Sequence, residues 1–181
     1  MIITRNITFD NFKNRINSPN VKKVLKLILK DQKNEEMNSL KSNYKYSYSQ
    51  KFISRFKIKF NSLRLIGMGG SILGTKAIYS FLNHKIKKKI YFYDNLLPNI
   101  KKEKKQNFLN LVISKSGNTL ETISNANNII KKNQKNIFLT DKGNNYLRTL
   151  ATKLKAEVVD HNNFIGGRYS VLSEVGMLPS S

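Results

Sequence analysis

From Leu63 onward, the chain repeats one pattern: a short apolar run, a turn rich in Gly or Ser, and an amphipathic segment long enough for a helix. Strands that alternate with helices through short turns are typical of a parallel sheet covered on both faces. We therefore predict an α/β fold with a doubly wound, mostly parallel five-stranded sheet flanked by helices. The predicted strands are Leu63–Ile66, Lys89–Tyr93, Phe108–Ile113, Asn136–Leu139 and Glu157–Val159. The predicted helices are Ile72–Leu82, a stretch that starts at Pro98, Leu120–Lys131 and Asn144–Leu154.

The part of the chain before this pattern has helical periodicity. Apolar residues within Val21–Leu29 follow the three-and-four spacing of an amphipathic helix, and Pro19 suits its first turn. The apolar residues of Phe52–Phe56 indicate a second helical face. A chain of 181 residues has room for one ordinary domain and an extension. We predict a helical extension over residues 1–61 and the α/β domain over residues 62–181.

The chain is strongly basic. Lys and Arg number 33 against 11 Asp and Glu, which gives a net charge of +22. Such an excess is compatible with nucleic acid, an anionic membrane or a phosphorylated substrate as partner. However, the Lys residues are mixed with many Asn and Ile, a composition that AT-rich codons also produce. The densest basic runs, Lys85–Lys89 and Lys101–Lys105, lack the interleaved aromatic residues of a surface that binds single strands.

We therefore expect no nucleic-acid partner. The alternative, a basic nucleic-acid binder, would bind with an affinity that falls steeply with salt concentration.

Few residues could hold a metal or form a disulfide. The chain has no Cys and two His, which are His84 and His161. A disulfide framework, a thiolate nucleophile and a Cys-ligated metal are thereby excluded. The first residues carry no secretory signal, and the longest apolar stretches are shorter than the roughly 20 residues that span a bilayer. We expect a soluble cytoplasmic protein with no metal site and no membrane partner.

The turn after the first predicted strand has the sequence GMGGS, from Gly67 to Ser71. Gly allows the backbone to approach a ligand closely, so that N–H groups at a helix start can converge on an anion. The spacing fits neither the dinucleotide fingerprint nor a Walker loop. We predict an anion site that includes Gly70 and Ser71. The alternative is a tight strand-to-helix turn in which Ser71 caps the helix.

The turn after the third predicted strand is rich in hydrogen-bond donors. Hydroxyl and amide groups can satisfy phosphate oxygens, and the dipole of the following helix adds favourable partial charge. The alternative is a helix capped by Ser or Thr, with Glu121 in its first turn. Two such turns at the same ends of neighbouring parallel strands would face one pocket. The residues of this turn are Ser114, Lys115, Ser116, Gly117, Asn118 and Thr119.

A third segment, NNFIGGRYSVLS, follows the last predicted strand. Gly166 and Gly167 free the backbone to turn, and Arg168 then presents a planar, permanently charged donor group. Because the segment follows a strand end, we predict that Arg168 lies on the ligand side of the sheet. The alternative is a surface ion pair.

Three strings of this sequence, GMGGSILG, SKSGNTLETISN and FIGGRYSVLSEVGMLP, resemble the first sugar-isomerase (SIS) domain of the glucose-6-phosphate isomerase (phosphoglucose isomerase) family. The resemblance runs from about Leu63 to Pro179. The GGRYSVLSEVG string is its most specific part, because other sugar-isomerase domains share the Gly/Ser loops but usually not this segment.

The resemblance implies a function and a set of roles. The family interconverts glucose 6-phosphate and fructose 6-phosphate through a cis-enediolate, without a metal or an organic cofactor, in glycolysis and gluconeogenesis. By resemblance, Gly70, Ser71 and the loop Ser114–Thr119 hold the phosphate of the sugar. Arg168 stabilises the negative charge of the enediolate, and Glu121 lies beside the active site. The resemblance also implies a homodimer for the full-length protein.

The chain also departs from the family. The glutamate base, the histidine and the lysine that complete the family's site come from segments that are absent here, so we expect a fragment that is inactive alone. The apolar-rich stretch Tyr169–Leu178 supports this, because it ends without a closing helix in the predicted pattern. An alternative is a stand-alone SIS domain that senses a sugar phosphate within a regulator.

Overall fold

The structure, a computed structural model, describes residues 19–31, 35–57, 60–96 and 107–181. The chain divides into two compact units, Met1–Asn34 and Glu35–Ser181. The described part of the first unit contains helix α1, Pro19–Lys30, which confirms the predicted helix there. The helix predicted from Pro98 and the basic run Lys101–Lys105 lie outside the described residues. The predicted division at residue 61 stays a prediction, and the observed second unit already begins at Glu35.

The second unit is built on a sheet of five strands, all parallel, in the order β2-β1-β3-β4-β5. This confirms the predicted α/β class. The strands are β1 Ser62–Ile66, β2 Lys89–Tyr93, β3 Phe108–Ile113, β4 Lys135–Thr140 and β5 Glu157–Asp160. The helices of this unit are α2 Gln50–Lys57, α3 Gly70–Leu82, α4 Leu120–Ile129, α5 Tyr146–Leu154 and α6 Glu174–Met177, with 3₁₀ helices at Glu35–Leu40 and Gly167–Leu172.

The order of the strands creates a switch in chain direction beside β1. From β1 the chain passes through α3 to β2 on one side, whereas β3, β4 and β5 follow on the other side. Strands β1 and β3 pair directly, with Ile66 opposite Val112. In sheets of this type, the carboxyl ends of the strands at such a switch form the crevice in which ligands bind.

Both faces of the sheet are buried against helices. On one face, α3 and α6 cover the strands through side chains such as Ile72 and Val175. On the other face, α4 and α5 do the same through side chains such as Ala126 and Leu147. Because alternate side chains of a strand point to opposite faces, the central strands are apolar almost throughout. The fully buried strand residues include Leu65, Ile66, Val112, Ile113, Phe138 and Leu139.

The last segment of the chain differs from the sequence prediction. No closing helix was expected after Tyr169, but residues 167–177 form the 3₁₀ helix and α6. This segment packs closely on α3 and on itself, at positions where Gly leaves room for the neighbouring residue. A Cβ atom on Gly74 would lie 2.6 Å from Cγ2 of Val171, and one on Gly176 would lie 2.0 Å from the carbonyl oxygen of Val171. Apolar pattern alone does not reveal such short helices.

A buried histidine follows the end of β5. His161 is 2% exposed, and its Nδ1 lies 2.7 Å from the carbonyl oxygen of Asn162. Its Nε2 is buried and has no hydrogen-bond partner in the described part of the chain. Burial lowers the pKa of His161, and the charge of Lys115 acts in the same direction. The backbone contact with Asn162 and the charges of Glu174 and Asp141 oppose this shift, but burial is the largest cause.

We predict that Gly176→Ala lowers the free energy of unfolding by about 2–3 kcal/mol, the cost of overpacking a tight contact. The added methyl group would collide with the main-chain oxygen of Val171, which cannot rotate away as a side chain could. Chemical denaturation measures the effect. The control is Gly143→Ala, whose Cβ would meet Asp141 Oδ1 at an ordinary 3.4 Å. Equal stability of the two variants would contradict the packing described here.

A second prediction concerns pH. Because the folded protein holds His161 with a lowered pKa, the neutral imidazole contributes stability above the pKa of the unfolded chain, about 6.5. This contribution is lost as the pH falls below that value, since the unfolded state then binds the proton more readily. The free energy of unfolding, measured from pH 7.5 to 5, should fall less steeply in His161→Asn than in the unmodified chain. The control, exposed His84→Asn, should leave the slope unchanged.

Candidate functional site

The two donor-rich turns lie side by side. The GMGGS turn follows β1 and the SKSGNT turn follows β3, and these two strands are paired neighbours. The approach is close at the strand ends, since a Cβ atom on Gly67 would lie 2.9 Å from the carbonyl oxygen of Ile113. The structure thus brings both turns to the crevice at the switch point, as the sequence predicted.

The GMGGS turn starts α3 without a side-chain cap. The N-cap residue is Gly69, with φ of 55°, a left-handed conformation that Gly adopts readily. Ser71 is half-buried within the first turn of the helix, and its N–H donates to the carbonyl oxygen of Met68 at 3.1 Å. The alternative in which Ser71 caps the helix is therefore wrong. Its hydroxyl makes no hydrogen bond with a described residue.

The SKSGNT turn is folded on itself by its own hydroxyl groups. Ser114 Oγ lies 2.8 Å from Thr119 Oγ1 and accepts a hydrogen bond from the N–H of Gly117 at 3.2 Å. The N–H of Asn118 donates to Ser116 Oγ at 3.3 Å. Ser114 is only 2% exposed, so its hydroxyl stabilises the turn from the buried side. The exposed members of the turn are Ser116 and Asn118.

The first residues of α5 support the SKSGNT turn from the side. Gly117 has φ of 66°, and a Cβ atom there would lie 2.1 Å from Asn145 Oδ1. The N–H of Leu147 donates to the carbonyl oxygen of Gly117 at 3.1 Å, and the N–H of Tyr146 donates to Asn118 Oδ1 at 3.0 Å. No motif of the sequence predicted this support. The signal for it is weak, because a helix start such as Asn145-Tyr146 says nothing about which loop it touches.

Lys115 is directed to a third loop. Its Nζ donates to the carbonyl oxygen of Asn163 at 2.7 Å, which links the turn after β3 to the segment after β5. Its own carbonyl oxygen accepts from the N–H of Asp141 at 3.0 Å and from Thr140 Oγ1 at 3.2 Å. Lys115 therefore already serves to hold the loops of the crevice together.

The helices that begin at the crevice differ from the later helices in their caps. Neither Gly69 before α3 nor Thr119 before α4 gives a side-chain cap. By contrast, Asn145 accepts from the N–H of Arg148 at 3.0 Å at the start of α5, and Ser173 caps α6. The N–H of Gly70 in α3 and those of the first three residues of α4 have no acceptor among the described residues, at the positive ends of two helix dipoles. The N–H groups of Ser71 and Ile72 already donate to the carbonyl oxygens of Met68 and Gly69. The predicted alternative, a helix α4 capped by Ser or Thr, is wrong.

Glu121 lies where the sequence placed it, in the first turn of α4, and it is half-buried. A carboxylate near a helix start interacts favourably with the dipole. It therefore adds negative charge beside the same N–H groups that an incoming anion would use.

Arg168 lies against the GMGGS turn through its backbone. A Cβ atom on Gly70 would lie 2.2 Å from the carbonyl oxygen of Gly167 and 3.1 Å from the N–H nitrogen of Arg168. The side chain of Arg168 is exposed, and among the described residues its guanidinium has no ion-pair or hydrogen-bond partner. The alternative, a surface ion pair of Arg168, is therefore not found among the described residues. The three sequence-predicted segments meet at the carboxyl end of the sheet.

Neither a metal cluster nor a membrane-spanning helix occurs within residues 19–31, 35–57, 60–96 and 107–181. This part of the chain holds no group of three or more acidic, Cys or His side chains that could bind a metal ion. None of the helices described there is long and apolar enough to cross a membrane.

Comparison with known proteins identifies relatives over most of the chain. The family model of phosphoglucose isomerase matches residues 11–181. The glucose-6-phosphate isomerase of Methanocaldococcus jannaschii is 39% identical over 134 residues, which are 66% of this chain and 32% of that protein. The glucose-6-phosphate isomerase of Acholeplasma laidlawii is 38% identical over 141 residues, 66% of this chain and 33% of that protein. The chain therefore spans about a third of the length of these relatives.

Solved structures share the fold. A hypothetical protein of Thermus thermophilus superimposes with a TM-score of 0.67 at 22% identity, over 86% of this chain and 41% of that one. The tagatose-6-phosphate ketose/aldose isomerase of Escherichia coli gives a TM-score of 0.53 at 15% identity, over 70% of this chain and 38% of that one. At these identities the likeness concerns the fold alone.

The sequence resemblance is thereby confirmed by a family match that covers nearly the whole chain. The chain belongs to the phosphoglucose isomerase family.

Proposed function

We propose that residues 62–181 form the phosphate-binding part of a glucose-6-phosphate isomerase, which interconverts glucose 6-phosphate and fructose 6-phosphate. The observation that carries this proposal is the pair of uncapped helix starts at one crevice, with Arg168 beside them. The relatives with the name glucose-6-phosphate isomerase favour the enzyme over a stand-alone sensor domain.

The phosphate group would be bound mainly by neutral donors. The N–H of Gly70, at the start of α3, and the hydroxyl of Ser71 would bind it from one side. The N–H groups at the start of α4, with Ser116, Asn118 and Thr119, would bind it from the other. Two helix dipoles supply positive partial charge, and each hydrogen bond to a charged oxygen is stronger than one between neutral groups. Ser114, Lys115 and Gly117 keep this turn in shape.

The reaction moves a proton between C1 and C2 of the open sugar and passes through a cis-enediolate. The phosphate contact is remote from these carbons, so its free energy can hold them in place during the reaction. Arg168 would stabilise the negative charge that develops on the enediolate oxygens. Glu121 would lie beside the site. The acid–base groups would come from outside this chain, so we expect the chain alone to bind substrate without turning it over.

The same proposal includes the setting of the full-length enzyme. We propose a cytoplasmic homodimer that acts in glycolysis and gluconeogenesis, has a sugar phosphate as its partner, and does not engage nucleic acid or a membrane.

Binding to the 181-residue chain tests the phosphate site. Calorimetric titration should show binding of glucose 6-phosphate and fructose 6-phosphate but none of free glucose. Ser71→Ala should weaken phosphate-dependent binding about tenfold, the scale of one hydrogen bond to a charged group. Ser80→Ala, an exposed position on the same helix, is the matched control and should leave affinity unchanged. Equal binding of glucose and glucose 6-phosphate would contradict the proposal.

Catalysis in the full-length enzyme tests the role of Arg168. Arg168→Ala should lower kcat by about 10²-fold, the scale of losing one group that stabilises an oxyanion, and leave substrate affinity nearly intact. Steady-state kinetics with fructose 6-phosphate measure both quantities. The control is Arg55→Ala, which removes an exposed ion pair to Glu157 Oε1, 3.1 Å long, at the amino-terminal end of β5 and thus at the other end of the sheet. A kcat of Arg168→Ala equal to that of the control would reject the role.

A further inference from the structure

A buried carboxylate connects the last helix to a segment about 130 residues earlier. Glu174 is 2% exposed, and the single hydroxyl hydrogen of Tyr44 is shared between its two oxygens, which lie 3.0 and 2.9 Å from the hydroxyl oxygen. The N–H of Ser47 donates to Glu174 Oε1 at 3.0 Å. Burying a carboxylate is costly unless its oxygens are hydrogen-bonded. The hydroxyl of Tyr44 and the N–H of Ser47 therefore join Glu174 to the segment Tyr44–Tyr48, which we call the tyrosine strap.

The tyrosine strap is also attached at a second place. Ser47 Oγ donates to the carbonyl oxygen of Asp160, the last residue of β5, at 2.5 Å. The rings of Tyr44, Tyr46 and Tyr48 pack in series, with centroids 5.2 Å apart in both pairs. Burial and the charge of Glu174 raise the pKa of Tyr44, so its hydroxyl stays a donor at neutral pH. The strap thus spans from the end of the sheet to the start of α6.

Glu174 lies in the same rigid segment as Arg168. The N–H of Ser173 donates to the carbonyl oxygen of Ser170 at 3.0 Å, and Ser173 Oγ donates to the same oxygen at 2.7 Å. These bonds fix α6 to the 3₁₀ helix Gly167–Leu172, whose second residue is Arg168. On its other side, this 3₁₀ helix packs on α3 through Gly74 and Val171.

The segment that carries Arg168 is therefore held between α3 and the tyrosine strap. The guanidinium of Arg168 has no partner of its own among the described residues, so the placement of its backbone decides where it can reach. We propose that Glu174 and Tyr44 are positioning residues, which hold this backbone so that Arg168 stays beside the GMGGS turn. The proposal rests on the proposed function for its catalytic consequence, but the mechanical connection can be tested without it.

Hydrogen exchange of the 181-residue chain tests the connection. Tyr44→Phe removes the hydroxyl that binds Glu174 and keeps the ring. Amide hydrogens of residues 167–172 should exchange about tenfold faster in Tyr44→Phe than in the unmodified chain. The control is Tyr46→Phe in the same strap, whose hydroxyl makes no hydrogen bond with a described residue, and it should leave these amides unchanged. Equal exchange in the two variants would overturn the proposal.

Kinetics of the full-length enzyme test the consequence for Arg168. Glu174→Gln and Tyr44→Phe should each lower kcat about tenfold, because a small displacement of a catalytic group is costly, and change KM less than about twofold. In an Arg168→Ala background, Glu174→Gln should lower kcat less than about twofold further, since the group it positions is gone. Additive losses would indicate a merely structural role and reject the positioning.

The two proposals fail in different ways. An unmodified enzyme that does not isomerise fructose 6-phosphate would refute the proposed function, and the exchange experiment would still decide whether Glu174 and Tyr44 hold the segment of Arg168. An active enzyme in which Glu174→Gln behaves like Tyr46→Phe would refute the positioning alone.

Discussion

The direct pairing of β1 with β3 is the constraint on which the candidate site depends. Because these two strands are neighbours, the helices that follow them start side by side and then leave on opposite faces of the sheet. If β2 lay between them, the two donor-rich turns would be separated by a further strand spacing of about 5 Å. The strand order also agrees with how deeply each strand is buried. Strands β3 and β4 are buried over nearly their whole length, whereas β2, at one edge, is mostly half-buried.

The sequence predicted the elements well because their signals are local. Apolar runs and Gly/Ser turns report on a few neighbouring residues, and all five strands appear within a residue or so of the predicted bounds. The caps were predicted less well. Ser71 and Thr119 have residue types that cap helices, but the hydroxyl of Thr119 is paired with Ser114 and Ser71 lies inside the helix. A short motif does not show which of several possible acceptors a hydroxyl will meet.

Contacts between distant parts of the chain were beyond the sequence analysis. The bonds of Glu174 to Tyr44 and Ser47 join residues about 130 positions apart, and no periodicity relates them. The strong positive charge was equally uninformative about the site. The one Lys in the SKSGNT turn donates to the carbonyl oxygen of Asn163, so the crevice presents N–H groups, hydroxyls and helix dipoles as well as the guanidinium of Arg168.

The positioning role proposed for Glu174 follows from the role proposed for Arg168. A guanidinium that must meet a developing negative charge in the substrate cannot also be neutralised by a carboxylate of the protein, since each would weaken the other. Its side chain must stay unpaired, and an unpaired Arg has many rotamers. The position of the guanidinium then has to be set by the backbone that carries it. In the proposed arrangement, Glu174, six residues later at the start of α6, would fix that backbone without touching the guanidinium, because its oxygens already accept hydrogen bonds from Tyr44 and Ser47.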